Sequence, residues 1–156
     1  MTTITTTERA AANAAIAGQQ RAARRAALAS QTQQTSDAIR ARLAAGLDTY
    51  FYTSWGYDQT NVDFYKVLGL TPSGKSVRIQ HWTKRDVATD DNMHQSLVPG
   101  GECALSTNWG EDGVRRTNVA PVETARIVGF HITAGGQYAW LWDGRPKYAT
   151  GHGYGH

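Results

Sequence analysis

The chain has 156 residues, 40% of them hydrophobic, which is enough for one folded domain with an attached segment. Its formal net charge is +3, and Cys103 is the only cysteine, which excludes an intramolecular disulfide. No apolar run approaches the roughly 18 residues of a membrane span, and the first ten residues lack the apolar segment of a secretory signal, so we expect a cytoplasmic protein.

The charge is distributed unevenly along the chain. Residues 1–47 contain six arginines but only Glu8 and Asp37 as acidic residues, a net charge of +4, whereas residues 48–156 carry ten basic and eleven acidic side chains, a net charge of −1. We therefore predict two parts, a basic helical arm over 1–47 and a small β domain over 48–156. The positive arm indicates an anionic partner, such as nucleic acid or an acidic protein surface.

The first element of the arm is predicted to be a long helix over residues 8–29, because alanine, arginine and glutamine dominate this stretch. Within it, Arg21, Arg24 and Arg25 have the spacing that places them on one helix face. That face either binds a partner or only keeps the helix solvated.

A second, short helix is predicted after the polar run SQTQQT. Ser36 or Asp37 can cap its N-terminus, and Gly46 can end it. An apolar stripe recurring every four residues would dock it on a neighbouring sheet. The residues of this stripe are Ile39, Leu43 and Leu47.

From residue 48 onward, β-branched and aromatic runs alternate with turn-rich segments. Two hairpins are predicted. The first pairs residues 62–70 with 76–82, and the second pairs 125–133 with 137–142 and turns at Ala134-Gly135-Gly136. Short strands are expected at 50–52 and 104–105, and polar loops at 83–101 and 106–121. Five or six antiparallel strands predict an α+β protein whose strands form a small SH3-like or OB-like barrel or a curled sheet.

The stretch GLTPSGKS, residues 69–76, matches the letters of a phosphate-binding loop. Such a loop works because it opens onto a helix N-terminus. Here the following residues, VRIQHW, alternate as a strand does, and Pro72 and Gly74 are natural turn residues. We interpret the stretch as a hairpin turn, so it does not predict a nucleotide-dependent enzyme.

Catalytic and metal-binding patterns are weak in this sequence. Asp58, Asp63 and His131 are the best candidates for an active site, but aspartates of this kind are more typical of turns, where a carboxylate accepts backbone hydrogen bonds. His152 and His156 lie in a glycine-rich tail without partner cysteines. We therefore predict no catalytic residues, no metal and no cofactor.

The five tryptophans and seven tyrosines exceed what one small core needs. In QYAWLW, Tyr138, Trp140 and Trp142 share one face opposite Ala139 and Leu141, so they either stack on a partner or pack beneath loops and the arm. The candidate residues for binding nucleic acid or another partner are Arg21, Arg24, Arg25, Arg40, Arg42, Trp55, Tyr57, Tyr138, Trp140 and Trp142.

Two stretches, WGYDQTNVDFYKV and YAWLWDGRPKYATGHGYGH, resemble a group of small proteins of bacteriophages and mobile elements. The resemblance covers about residues 50–82 and 125–156 and leaves the arm outside. It implies a protein made in the bacterial cytoplasm and implies no catalytic residues.

Three hypotheses follow from the sequence. The first is a non-enzymatic module that binds nucleic acid through the basic arm and exposed aromatics. The second is a protein-interaction or virion-associated protein whose arm helix docks on a protein partner. An enzyme using Asp58, Asp63 and His131 comes third.

Overall fold

The computed structural model describes residues 6–57, 59–87, 94–109, 111 and 114–151. Its first element is one continuous helix, α1 (Thr6–Ala44), where two helices were predicted. The predicted break is wrong because SQTQQT contains no glycine or proline. The Thr32 hydroxyl of this run also bonds within the helix, donating to the Leu28 carbonyl over 2.8 Å, and the Thr35 hydroxyl lies 3.0 Å from the Gln31 carbonyl.

The C-terminus of α1 lies where it was predicted. Gly46 adopts a φ of 70°, and the Leu47 amide donates to the Arg42 carbonyl over 2.9 Å, which closes the last turn. Ile39 is fully buried and Leu43 packs beside it, as expected for the apolar stripe, whereas Leu47 lies beyond the helix and is exposed.

Ten strands follow in the described part of the chain: β1 (Tyr50–Trp55), β2 (Asn61–Leu70), β3 (Ser76–Asp86), β4 (His94–Cys103), β5 (Leu105–Trp109), β6 (Arg115–Val119), β7 (Val122–Arg126), β8 (His131–Ala134), β9 (Gln137–Leu141) and β10 (Lys147–Thr150). The main sheet is antiparallel, with strands in the order β10-β4-β3-β2-β1-β9-β8. Strand β7 pairs with the first half of β3, and β5 and β6 form a separate ribbon.

The α+β class and the antiparallel sheet are as predicted, but the sheet is not a closed barrel. Edge strand β10 instead bends towards the start of β2, where the Thr150 amide donates to the Thr60 carbonyl over 2.9 Å. The Thr60 amide in turn donates to the Thr150 hydroxyl over 2.8 Å. The strands are therefore arranged as a curled, open sheet.

Strand β2 contributes to two separate cores, because successive side chains of a strand point to opposite faces. Tyr65 and Val67 belong to the helix-side core, together with Ile39, whereas Val62 and Phe64 belong to the far-side core. The other members of the helix-side core are Phe51, Val77, Ile79, Ala125, Ile127, Ile132, Ala134 and Ala139. The far-side core also contains Leu97 and Ala149, with Tyr52, Trp82 and Trp142 packed against it.

Several predictions of strands and turns hold, whereas two predicted loops and one predicted strand are wrong. GLTPSGKS connects β2 to β3, and Gly135-Gly136, both with positive φ, connects β8 to β9, as predicted. The loops predicted at 83–101 and 106–121 are wrong, because they contain most of β4 and all of β6. The single strand predicted at 125–133 is divided between β7 and β8, and Phe130 is exposed where the segment crosses beneath α1.

Candidate functional site

The N-terminal half of α1 presents its side chains to solvent. Residues 7–30 are exposed apart from the small Ala17 and Gly18, which are half-buried. At 3.6 residues per turn, Arg21 and Arg25 lie on the same face as Leu28 and Ile39. The basic face of the helix therefore continues the face that docks on the sheet.

Residues 127–130, between β7 and β8, hold α1 in place. The Thr35 hydroxyl donates to the Gly129 carbonyl over 2.8 Å, and the Gly129 amide donates to the Thr32 hydroxyl over 2.9 Å. Gly129 has a φ of 62°, and a Cβ there would lie 3.2 Å from Leu28 Cδ1. Only a residue without a side chain fits this crossing easily.

A cleft of about 590 Å³ opens on one side of this crossing, between α1, the β2–β3 turn and the end of β7. Three cations line it, one from each of these elements: Arg25, Lys75 and Arg126. The remaining lining residues are Leu28, Ala29, Thr32, Gln33, Ser73, Gly74, Ile127 and Val128, so none of the described residues lining the cleft is acidic. We call this feature the basic cleft.

The β2–β3 turn is closed by its own backbone hydrogen bonds and lies close to the helix. The Gly74 amide donates to the Thr71 carbonyl (2.8 Å), and the Thr71 amide donates to the Ser76 carbonyl (2.9 Å). Gly74 has a φ of 68°, and a Cβ on it would lie 3.0 Å from the Ser36 hydroxyl oxygen. The turn therefore approaches α1 closely at Gly74, which places the following Lys75 beside the helix.

The three cations of the basic cleft carry uncompensated charge. Within the part of the chain that the structure describes, Arg25, Lys75 and Arg126 form no ion pair with a carboxylate. Arg40, by contrast, is paired with Asp37 over 2.7 Å. Like charges around one cleft repel each other, and a bound anion would relieve that repulsion.

The other predicted basic residue of the arm, Arg42, has a structural contact. Its guanidinium donates to the Trp142 carbonyl over 3.0 Å and is half-buried between the helix and the sheet. Trp142 itself packs edge-on against Tyr50 and Phe64, and its indole N–H donates to the Arg145 carbonyl over 2.7 Å. The structure therefore places both residues within the packed body of the domain.

The remaining aromatics lie on the surface but away from the basic cleft. Tyr138 and Trp140 are 61% and 40% exposed on the outer face of β9. Trp55 and the fully exposed Tyr57 lie near the start of β2. The basic cleft lies at the other end of that ten-residue strand, roughly 30 Å away.

Asp63 is the centre of a polar network near Trp55. Its Oδ2 accepts from the Trp55 indole over 2.9 Å, and its Oδ1 accepts from the Lys84 ammonium over 3.0 Å. The pKa of the Asp63 carboxyl is held well below its usual range by His81, whose Nε2 lies 3.8 Å from Oδ1, and further by Trp55 and Lys84, although partial burial acts in the opposite direction.

Of the candidate catalytic residues, the structure describes Asp63 and His131 and does not bring them together. His131 lies three strand spacings, about 14 Å, from the neighbourhood of Asp63. The separation follows from the strand pairing, in which His131 is opposite Trp140, Trp140 is opposite Tyr52, and Tyr52 is opposite Phe64. Asp58, His152 and His156 lie outside the described residues.

The sequence did not point to Lys75 and Arg126 as binding residues. The pairing of Ser76 with Arg126 brings the two cations to the same end of the sheet, but it joins residues 50 positions apart. The GKS letters were the only signal at Lys75, and they suggested a different motif.

Comparison of the chain with protein-family models, with curated proteins and with solved structures gives no match. In the described residues, no helix has the length and apolar character needed to cross a membrane. No cluster of three or more histidine, cysteine or acidic side chains suited to a metal ion occurs in the same ranges.

Proposed function

We propose that this protein binds nucleic acid through Arg21, Arg24 and Arg25 of α1 together with Lys75 and Arg126 of the basic cleft. The observation that carries the proposal is the convergence of three cations, from three elements, on one cleft. Within the described residues these cations form no ion pair, and none of the residues lining the cleft is acidic. Arginine guanidinium groups bind phosphate oxygens in pairs, and lysine binds them as a point charge.

The exposed helix face extends the same positive surface. Arg21 lies one turn before Arg25 on the docking face, and Arg24 lies beside it, so successive phosphates of one strand can contact successive arginines. A curled antiparallel sheet is also the platform on which OB-folds bind oligonucleotides, and we propose a related use here. Phosphates carry no sequence information, so binding through these cations is expected to depend weakly on sequence.

The salt dependence of binding tests this proposal. With five cations contacting phosphates, the logarithm of the association constant should fall with the logarithm of salt concentration with a slope of about −4. Replacing Arg25, Lys75 and Arg126 together by glutamine should weaken binding at least about tenfold and reduce the slope by about 2 to 3. Fluorescence anisotropy of a labelled oligonucleotide measures both quantities.

A matched variant removes the same charge from elsewhere on the surface. Arg9, Arg78 and Arg85 are exposed and lie outside the basic cleft, and their replacement by glutamine should leave most of the affinity intact. An equal loss of affinity in the two triple variants would show that binding depends only on net charge and that the basic cleft is not the binding site. Absence of salt-sensitive binding by the unmodified protein would contradict the function itself.

A second candidate function, docking of a protein partner, is favoured by a different groove. On the other side of the crossing, Ala38, Leu141 and the exposed Phe130 and Trp140 line a groove of about 390 Å³. Aromatics at such sites often contribute about 2 kcal/mol or more to binding.

Affinity purification from a cell lysate after nuclease treatment tests the second function. It should return one stoichiometric protein, and Trp140→Ala should release it, whereas Tyr148→Ala, a change of an exposed aromatic on β10, should not. If the partner is recovered only when nucleic acid is present, the result would contradict the docking of a protein partner.

A further inference from the structure

The basic cleft differs from a flat phosphate-binding surface because its floor is apolar. Leu28, although 43% exposed, faces the cleft from α1, and the half-buried Val128 lies across from it. Ala29 widens the opening because its side chain is a single methyl group. A site for phosphate alone would need only the cations, so the apolar floor indicates that a second, less polar group enters as well.

The size of the cleft limits what can enter. About 590 Å³ falls within the range of pockets that enclose one small organic molecule. A duplex keeps its bases stacked inside and presents only a broad phosphate surface, whereas a single strand can turn one base outward. The helix on one side and the β2–β3 turn on the other leave the bases of a duplex outside the cleft.

One polar side chain of the cleft can accept a hydrogen bond from a ligand. Gln33 lines the cleft, and its Nε2 donates to Asp37 Oδ1 over 2.9 Å, which orients the amide. Its carbonyl oxygen accepts no hydrogen bond from the described residues and is available to an N–H donor. Arg25 at the rim can stack its guanidinium plane on a base while its charge contacts phosphate.

We infer that the basic cleft receives one nucleotide of a single-stranded nucleic acid, with its phosphate between Arg25, Lys75 and Arg126 and its base on Leu28 and Val128. This inference rests on the proposed nucleic-acid binding and narrows its substrate from any nucleic acid to single strands. The base is enclosed by apolar contact and by one acceptor, so the cleft selects strandedness more than sequence.

The test compares single-stranded oligothymidylate and oligouridylate of about 16 nucleotides with a duplex of equal length, using the full chain and the same series of salt concentrations for each. Both single strands should bind at least about tenfold more tightly than the duplex. Ala29→Phe fills the cleft without changing charge, and it should weaken single-strand binding about tenfold while the salt slope stays the same.

Ala26→Phe is the matched control, because Ala26 is exposed on the same helix and does not line the cleft. It should bind as the unmodified protein does, and circular dichroism should show equal helix content in both variants. If strand and duplex bind equally and Ala29→Phe has no effect, the inference is overturned while the proposed function stands. If neither nucleic acid shows salt-sensitive binding, both fail.

Discussion

Replacing Ile39 by alanine is expected to lower the free energy of unfolding by about 3 kcal/mol. Ile39 is fully buried in the helix-side core, where it packs with side chains of the sheet, and it is the deepest contact of α1. Truncation removes apolar contact and leaves a cavity that the sheet cannot fill, since strand positions are fixed by their hydrogen bonds. Urea denaturation followed by circular dichroism measures the change.

The same substitution at Ile16 provides the control for Ile39. Ile16 is 52% exposed on the N-terminal half of α1, so Ile16→Ala should change stability by less than about 0.5 kcal/mol. Because α1 positions Arg25 over the cleft, Ile39→Ala should also weaken oligonucleotide binding, and Ile16→Ala should not. Similar unfolding midpoints for the two variants would mean that α1 is not anchored at Ile39.

The second large effect is expected at Asp63. Asp63→Asn keeps the shape of the side chain but removes its negative charge. The carboxylate accepts hydrogen bonds from Trp55 and Lys84 and faces His81. Hydrogen bonds to charged groups typically contribute about 1.5–3 kcal/mol, so we expect a loss of about 2 kcal/mol at neutral pH. Asp37→Asn removes a carboxylate from an exposed pair with Arg40 and should cost less than about 1 kcal/mol.

The pH dependence of stability should differ between these variants. Since folding lowers the pKa of Asp63, its stabilising contribution is fully present above its unfolded pKa of about 4. That contribution to stability is lost progressively as the pH falls from about 4 towards the lower pKa of Asp63 in the folded protein. The unmodified protein should therefore lose stability on acidification more steeply than Asp63→Asn; parallel curves between pH 7 and pH 3 would show that the network does not stabilise the carboxylate.

The sequence predicted the architecture where local patterns determine it. Glycines at 46, 74, 135 and 136 each end a helix or form a turn, and each has the positive φ that only glycine adopts easily. The hairpin β2–β3 follows from alternation on both sides of such a turn. The helix break was mispredicted because a polar run resembles a loop in composition, whereas its threonines bond within the helix and to Gly129.

Only part of the candidate site could be predicted, because its residues come from segments that are far apart in the sequence. Arg21, Arg24 and Arg25 are neighbours on one helix, so their shared face can be read from spacing. Lys75 and Arg126 join them only because β7 pairs with the first half of β3 and residues 127–130 bond to α1. Likewise, alternation correctly separated Tyr138 and Trp140 from Ala139 but did not show that Trp142 packs against Phe64.

The double role of β2 has a consequence for how the molecule unfolds. Phe64 and Tyr65 are adjacent in the chain, yet they anchor cores on opposite sides of the sheet. Neither core can come apart without displacing the backbone that also supports the other. We therefore expect the two cores to lose their structure in one concerted step, so that damage to either weakens the whole body of the protein.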